Sequence, residues 1–324
     1  MKYIQKTTLG LTISLLALAS CQSNVAPPVP AATTVQVNGT RVVNGTTIQF
    51  GVTALDGTTV VGTGKIDKAA VTFTTAGIMG TATVCGQIAA QNVVTAAVTL
   101  DATGSMTTTD PTENRKLAAK AFVARLTGDS QAAVLSFEAS STPTAGLLAS
   151  RLQQTMTADK ALLNTAIDKA TYASGSTNFY DAVKDAVFVA KQSGRPNPIV
   201  LALTDGIDNA SSNTAADAIA YAKTRNVAVY TVGLDTPSDR LDFSAMERIS
   251  SETGGLFRSN ISSTDLNDYF AKLYNAFTAQ GCVQINLATA PTAGTIIEGT
   301  LTVDIADTGK ATASLKVPFS YTAR

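Results

Sequence analysis

The segment VTLDATGS, residues 98–105, changes from a nearly continuous apolar run into a polar loop and decides the fold of this chain. The apolar run covers residues 93–100, and such a run is typical of a strand that is buried on both faces of a sheet. Asp101 follows where the strand should stop, and Thr103 and Ser105 stand at alternate positions in the loop. The segment therefore predicts a central strand of a parallel sheet whose carboxyl end carries three oxygen-bearing side chains.

Further apolar runs at residues 132–137, 199–203 and 227–232 alternate with helical patterns. Apolar residues at i, i+3, i+4 and i+7 indicate amphipathic helices, and strands that alternate with helices predict right-handed crossovers and a parallel sheet. We therefore predict a doubly wound, mostly parallel α/β domain over residues 92–280. The helical stripes are Ala119/Phe122/Val123/Leu126, Tyr180/Val183/Val187/Ala190 and Leu266/Phe270/Leu273/Phe277.

The flanks on either side of this domain, residues 35–91 and 281–324, are rich in Thr, Val and Gly and contain alternating apolar and polar positions. The Asn-Gly pairs at 38–39 and 44–45 are typical of hairpin turns, because both residues tolerate a positive φ. Neither flank alone has enough strands to form a stable hydrophobic core. We expect the flanks to form one antiparallel β module into which the α/β domain is inserted; two independent small units are the alternative.

Polar residues that could form a binding site come from three separate loops. The apolar run at 199–203 ends in Thr-Asp-Gly, and a hydroxyl-rich segment at 175–178 opens a helix. Ligands of open α/β sheets bind at the carboxyl ends of the strands, so these groups should converge. Hydroxyl and carboxylate oxygens suit Mg²⁺ or Mn²⁺, and such a shell leaves room for an external carboxylate. The candidate metal ligands are Asp101, Thr103, Ser105, Thr177 and Asp205.

The pattern Asp101-x-Thr103-x-Ser105, followed by Thr177 and by Asp205 in a Thr-Asp-Gly tripeptide, resembles the metal-ion-dependent adhesion site of von Willebrand factor type A (vWA) domains. The resemblance covers the whole α/β segment and implies three hydroxyl ligands, with the two aspartates binding directly or through water. Threonine stands at 103 where the family most often has serine, which keeps the oxygen. The resemblance further implies a bound Mg²⁺, Mn²⁺ or Ca²⁺, and a protein ligand whose exposed Glu or Asp completes the coordination shell of the metal.

Each of these positions also has an interpretation without a metal. Asp101 with its neighbouring hydroxyls could form an Asx-turn network. Thr177 could cap its helix, and Asp205 could belong to an ordinary turn. Protein binding or adhesion is the function that we expect, and a scaffold component permanently docked in an envelope complex is the alternative.

The composition excludes several classes of function. The 324 residues contain no histidine, which removes Ser-His-Asp and Cys-His nucleophiles and histidine-ligated metal centres. Ser105 has no lysine close in sequence that could serve as a base, and we expect no enzyme activity. Lys plus Arg and Asp plus Glu both number 24, so no bulk positive charge indicates nucleic-acid binding.

The amino terminus has the pattern of a secretory signal at residues 1–20. Lys2 and Lys6 form a basic start, and the apolar run at 9–19 is too short to span a bilayer of about 30 Å. The tetrapeptide Leu-Ala-Ser-Cys that ends at Cys21 resembles the bacterial lipobox. We therefore predict lipidation of Cys21, with acyl chains such as palmitate as the only membrane anchor.

We predict that residues 21–34, which begin with the lipidated cysteine, form a tether, because they are rich in Pro, Ala and Thr and nearly uncharged. Gln22, rather than aspartate, follows the cysteine. By resemblance to bacterial lipoproteins, this favours the outer membrane within the cell envelope.

Cys85 and Cys282 flank the α/β domain, one before its first strand and one after its last helix. An exported location is oxidising, and the entering and leaving chains of such a domain can lie close together. We therefore predict a disulfide between the two cysteines; two buried thiols are the alternative.

Overall fold

The structure is a computed structural model, and its described residues leave out the amino terminus and several short internal stretches. The predicted signal peptide at 1–20, the lipidation site Cys21 and most of the helix predicted over 266–277 lie outside the described residues. No helix in the described part of the chain is long and apolar enough to cross a membrane. The described ranges are 29–57, 59–90, 93–205, 207–234, 241–259, 273–275 and 279–323.

The strands and helices follow one another in three groups. The amino-terminal flank contains β1 (Thr34–Asn44), β2 (Thr47–Asp56), β3 (Thr59–Val60), β4 (Lys65–Phe73) and β5 (Gly80–Ala90). The middle contains β6 (Thr95–Asp101), α1 (Met106–Thr109), α2 (Asn114–Arg125), β7 (Gln131–Phe137), β8 (Ser150–Thr157), α3 (Lys160–Asp168), α4 (Phe179–Gln192), β9 (Pro198–Thr204), α5 (Ala215–Thr224), β10 (Ala228–Gly233), α6 (Ser244–Thr253) and β11 (Phe257–Ser259). The carboxyl-terminal flank contains β12 (Ala279–Leu287), β13 (Ile296–Ala306) and β14 (Ala313–Thr322).

The middle segment forms a six-stranded sheet in the order β11-β10-β9-β6-β7-β8. All neighbouring strands are parallel except β8, which runs antiparallel to β7 at the edge. The central strand β6 is buried on both faces: Val98 and Leu100 pack with α2 and α3, whereas Ala97 packs with α4. The predicted doubly wound, mostly parallel α/β fold is confirmed.

Strand β8 was not predicted, and its sequence explains why. The segment SRLQQTMT lacks a continuous apolar run, and most of its side chains are partly exposed. An edge strand has one neighbour and contacts the core less, so its sequence carries a weaker apolar signal.

The flanks together form the β module, which consists of β1–β5 and β12–β14. One sheet has the order β1-β2-β12-β5 with β3 beside β2, and the other has the order β14-β13-β4. Each sheet thus combines strands from both flanks, which excludes two independent units. The two sheets share one apolar core, in which Phe50 packs against Phe319 with ring centroids 5.1 Å apart. At the seam between β4 and β5, the Gln87 side chain bonds both the N–H and the C=O of Ile66, at 2.9 and 3.0 Å.

A disulfide joins Cys85 on β5 to Cys282 on β12, the pairing expected from the sequence. It lies near the pairing of Ala90 with Ala279, where the chain leaves the β module and returns to it. The two cysteines are 197 residues apart, so the bond closes a loop that contains the whole α/β domain. Closing such a loop restricts the unfolded chain.

Candidate metal centre

The candidate site lies at the carboxyl end of the α/β sheet, where the strand order reverses direction at β6. Strand β7 lies on one side of β6 and β9 on the other, and Leu100 pairs with Leu203. This register places Asp101 beside the end of β9, at the kind of crevice where open α/β sheets bind ligands. We call this region the polar edge; it comprises residues 101–112, 138–149, 170–178, 204–205 and 207–214.

Asp101 is completely buried at the end of β6. One carboxylate oxygen accepts a hydrogen bond from the Thr103 N–H at 2.7 Å, and the other accepts from the Thr204 hydroxyl at 2.5 Å. Burial, together with the nearby negative charge of Asp205, raises the pKa of Asp101 to about 6. Two carboxylates that repel each other in a buried position are a place where a cation would be stabilised.

A chain of oxygen atoms connects the first loop with the end of β9. The Thr103 and Ser105 hydroxyl oxygens are 3.0 Å apart, and the Ser105 hydroxyl donates to Asp205 Oδ1 at 3.1 Å. The Thr109 hydroxyl donates to the other oxygen of Asp205. Burial raises the pKa of Asp205, although these two hydroxyl bonds lower it in part. The structure thus brings Asp101, Thr103, Ser105 and Asp205 together.

Thr177, the fifth predicted ligand, lies at the same polar edge in the loop before α4. It is 5% exposed, and its backbone bonds to the loop that follows β9. The loop that leads to Thr177 touches the first loop directly, because the Ala173 N–H donates to the Ala102 C=O at 2.8 Å. The two loops are therefore neighbours, but no described side-chain contact joins Thr177 to the other four residues.

Asp208 and Asn209 were not among the predicted site residues, yet they hold the start of α4. Asp208 accepts a hydrogen bond from the Tyr180 N–H, and Asn209 accepts one from the Thr177 N–H, both at 2.8 Å. Helix α4 has no side-chain cap from its own N-cap residue, Asn178. The loop after β9 provides these bonds instead. Asx residues after Thr-Asp-Gly indicate turns, but the sequence does not reveal their partners about 30 positions upstream.

Arg115 is a second residue that sequence reasoning missed. Its guanidinium is fully buried and donates to the Asp101 C=O at 2.8 Å, to Asp110 Oδ2 at 2.9 Å and to the Ala170 C=O at 2.9 Å. It also lies 4.6 Å from the centre of the Tyr172 ring. The Arg115 guanidinium therefore connects the first loop to the loop that carries Thr177, and its positive charge lowers the pKa of Asp205 in part.

The donor atoms of the polar edge fit a small hard cation. Within the described ranges, no group of three or more Cys, Asp or Glu side chains could hold a metal, so a cation here depends on hydroxyl ligands. Neighbouring oxygens around Mg²⁺ bonded at about 2.1 Å in an octahedron lie about 3.0 Å apart. The Thr103–Ser105 and Ser105–Asp205 distances of 3.0 and 3.1 Å are hydrogen-bond distances, and they are also close to this spacing, so the same oxygens could surround a cation with little movement.

Comparison with known proteins gives the family of the α/β domain. The sequence profile described as von Willebrand factor type A domain matches residues 97–273. Among curated proteins, no sequence matches the chain.

Solved structures that the comparison found include two of proximal thread matrix protein 1 from the mussel byssus. In one of them the metal-ion-dependent adhesion site (MIDAS) motif is occupied by zinc. They are 20% and 22% identical, with TM-scores of 0.47 and 0.46, and cover 61% of this chain. The match spans only 49% of each mussel chain, about half its length. A von Willebrand factor type A protein from Catenulispora acidiphila is 14% identical over 93% of this chain and 75% of its own, with a TM-score of 0.45.

Proposed function

We propose, from the premise that this chain belongs to the von Willebrand factor type A domain family, that it is a binding protein whose polar edge holds a divalent cation for contact with another protein. The observation that carries the proposal is the oxygen cluster of Asp101, Thr103, Ser105 and Asp205. Thr177 completes the proposed ligand set. A bound Mg²⁺, Mn²⁺ or Ca²⁺ would supply the positive charge that attracts a Glu or Asp of the partner.

The charges of the polar edge support a cation-dependent contact. Its loops contain no Lys or Arg, and two basic side chains contact them from helices: the buried Arg115 of α2, and Lys184 of α4, which donates to Asn213. They do contain acidic residues, namely Asp101, Asp110, Glu138, Asp205 and Asp208. Without a cation this edge would repel an acidic partner, so we expect binding of the partner to depend on the metal.

Binding, rather than catalysis, is the role that the available groups favour. The chain contains no histidine, and the Ser105 hydroxyl bonds to Asp205 at 3.1 Å and to Thr103 at 3.0 Å. The partners of the Ser105 hydroxyl in these contacts are oxygen atoms. Neither contact supplies the imidazole or amine base that commonly activates a serine nucleophile. We therefore propose no enzymatic step.

The proposed location is the bacterial cell envelope, with lipid on Cys21 as the membrane anchor and delivery to the outer membrane. The support is the Leu-Ala-Ser-Cys pattern after a short apolar run, with Gln22 next to the cysteine. Labelling cells with a palmitate analogue should mark the wild-type protein and leave Cys21→Ala unlabelled. Equal labelling of both would contradict lipidation at this residue.

Metal binding is tested by calorimetry on the full chain in detergent after removal of metals with EDTA. We expect Mg²⁺ or Mn²⁺ to bind wild type at one site and Asp205→Ala to lose at least tenfold in affinity, since a buried ligand is removed. Asp129→Ala, an exposed acid outside the polar edge, is the control and should bind like wild type. A wild-type protein that binds none of Mg²⁺, Mn²⁺ and Ca²⁺ would refute the proposal.

The partner contact is tested separately by capture from native envelope extract with Mg²⁺ or with EDTA. A partner that is retained with Mg²⁺, released by EDTA and not captured by Asp205→Ala would support a metal-dependent contact. A partner that stays bound in EDTA would instead support a permanently docked scaffold component.

A further inference from the structure

The segment that carries Thr177 has no regular secondary structure of its own and is held between two loops. On one side, the Ala139 N–H donates to the Ser176 C=O at 2.9 Å. Gly175 has a φ of 137°, and a Cβ atom there would lie 2.6 Å from Glu138 Oε2, so the close approach requires glycine. The position of Thr177 is therefore set by contacts with other loops.

On the other side, Asn209 bonds both backbone polar groups of Thr177. Its Oδ1 accepts from the Thr177 N–H at 2.8 Å, and its own N–H donates to the Thr177 C=O at 2.9 Å. The Ala210 N–H donates to the same carbonyl at 3.1 Å. Asn209 stands four residues after Asp205 on one loop, so the loop that carries the carboxylate also holds the hydroxyl residue.

We propose that Asn209 is a positioning residue that fixes Thr177 relative to Asp205, so that both present oxygens to one cation. This inference rests on the proposed metal-binding function. Mg²⁺ requires near-ideal octahedral geometry and tolerates little displacement of a ligand. Loss of a bond that orients a metal ligand typically weakens metal affinity about 10–100-fold.

The same loop offers a matched control in Asn213. Its amide nitrogen donates to Asp181 Oδ1 at 2.6 Å, and its oxygen accepts from the Lys184 ammonium at 2.5 Å. Asn213 therefore bonds the first turns of α4, whereas Asn209 bonds Thr177 just before the helix. Replacing either residue removes one amide from the loop, so a difference between them reports on Thr177.

The first experiment is Mn²⁺ titration calorimetry on the full chain in detergent, with melting in EDTA as the measure of folding. We expect Asn209→Ala to bind Mn²⁺ about tenfold more weakly than wild type, whereas Asn213→Ala stays within about twofold. Asn209→Asp keeps the acceptor oxygen for the Thr177 N–H and should retain wild-type affinity or exceed it. Because Asn209 is exposed and Asn213 is partly exposed, all three variants should stay folded in EDTA.

The second experiment is a double-mutant cycle with Thr177→Val. If Asn209 acts through Thr177, Asn209→Ala should weaken Mn²⁺ binding no further once the Thr177 hydroxyl is absent. Additive losses would overturn the inference, as would an Asn209→Ala protein that binds like wild type. A wild-type protein that does not bind Mn²⁺, Mg²⁺ or Ca²⁺ would overturn the proposed function as well, which separates the two failures.

Discussion

The β module and the polar edge hold their backbone in place by different means. In the β module, neighbouring strands satisfy each other's N–H and C=O groups over long registers, as in the pairing of β13 with β14. At the polar edge, backbone bonds between loops are fewer, and individual side chains supplement them. Asn209 bonds Thr177, and Arg115 bonds Asp101 and Ala170. The module is therefore supported by many similar contacts, whereas the polar edge depends on a few particular residues.

This difference has a consequence for substitution. A strand in the module keeps most of its ladder when one side chain changes, because the ladder is made by the backbone. A loop at the polar edge loses its partner when one side chain changes, and the unpaired buried group then costs about 1–3 kcal/mol. We expect the polar edge to be the more sensitive region for function, and five predictions test the comparison.

The largest effect is expected for Arg115→Met. This change leaves Asp110 buried without its partner at 2.9 Å and frees two loop carbonyls. Breaking a buried ion pair costs about 3–5 kcal/mol, measurable by urea unfolding in EDTA. Lys120→Ala, which breaks the half-exposed pair with Asp168, is the control and should cost less than about 1 kcal/mol. Equal losses would show that the buried pair has no special role.

The next effect concerns the β module, in the double variant Cys85→Ser/Cys282→Ser. Removing the bond frees a loop of 197 residues in the unfolded chain and should cost about 3 kcal/mol in unfolding free energy. Mn²⁺ affinity at the polar edge should remain as in wild type, because Cys282 lies beside the amino ends of β6, β9 and β10, whereas the polar edge lies at their carboxyl ends. A loss of Mn²⁺ affinity without a loss of stability would contradict the separation of the two regions.

A smaller effect is expected for Thr53→Val, at the joint between β2 and β12. The buried Thr53 hydroxyl accepts from the Asn38 amide at 2.6 Å and donates to the Ala279 C=O at 2.7 Å. Valine has a similar shape but leaves both groups unpaired, so urea unfolding should show a loss of about 2 kcal/mol. Thr72→Val, at an exposed position of β4, is the control and should change the stability little.

The smallest effect is the pH dependence of metal affinity. The pKa of Asp101 is about 6, so a proton competes with the cation below that pH. Mn²⁺ affinity should fall about tenfold from about pH 7 to about pH 5 in calorimetric titrations.

Stability without metal should respond to Asp101 in the opposite direction. Because the folded pKa lies above the ordinary value of 3.8, this group's contribution to stability is present at low pH and is lost as the pH rises through about 6. Comparing wild type with Asp101→Asn in EDTA isolates this contribution. Two curves that run parallel between about pH 4 and about pH 7 would contradict the buried, raised pKa.

The sequence predicted those features of the fold that local patterns encode. Mostly apolar runs located the four central strands, and the aspartates that follow two of these runs, Asp101 and Asp205, were located at the sheet edge. The alternating texture of the flanks indicated strands, although not the order in which β12 inserts between β2 and β5. Order depends on contacts over about 200 residues, which no local pattern specifies.

The support of the candidate site could not be predicted, for a related reason. Asn209 and Arg115 are unremarkable in sequence, because an Asx residue after a turn and a basic residue in a helix are both common. Their roles arise from backbone partners at Thr177 and Ala170, which lie 32 and 55 positions away. Residue types identify ligands, whereas the contacts that orient ligands appear only in the folded chain.

The position of the disulfide determines how the molecule responds to mechanical load. Tension applied between the two ends of the chain acts first on the outer strands, and when it reaches β5 and β12 it passes through the bond between Cys85 and Cys282. The inserted domain lies outside that line of force and cannot be drawn out by stretching the ends while the bond is intact. A pull exerted on the polar edge, in contrast, enters through both connecting strands at once and reaches the β module at its covalent crosslink.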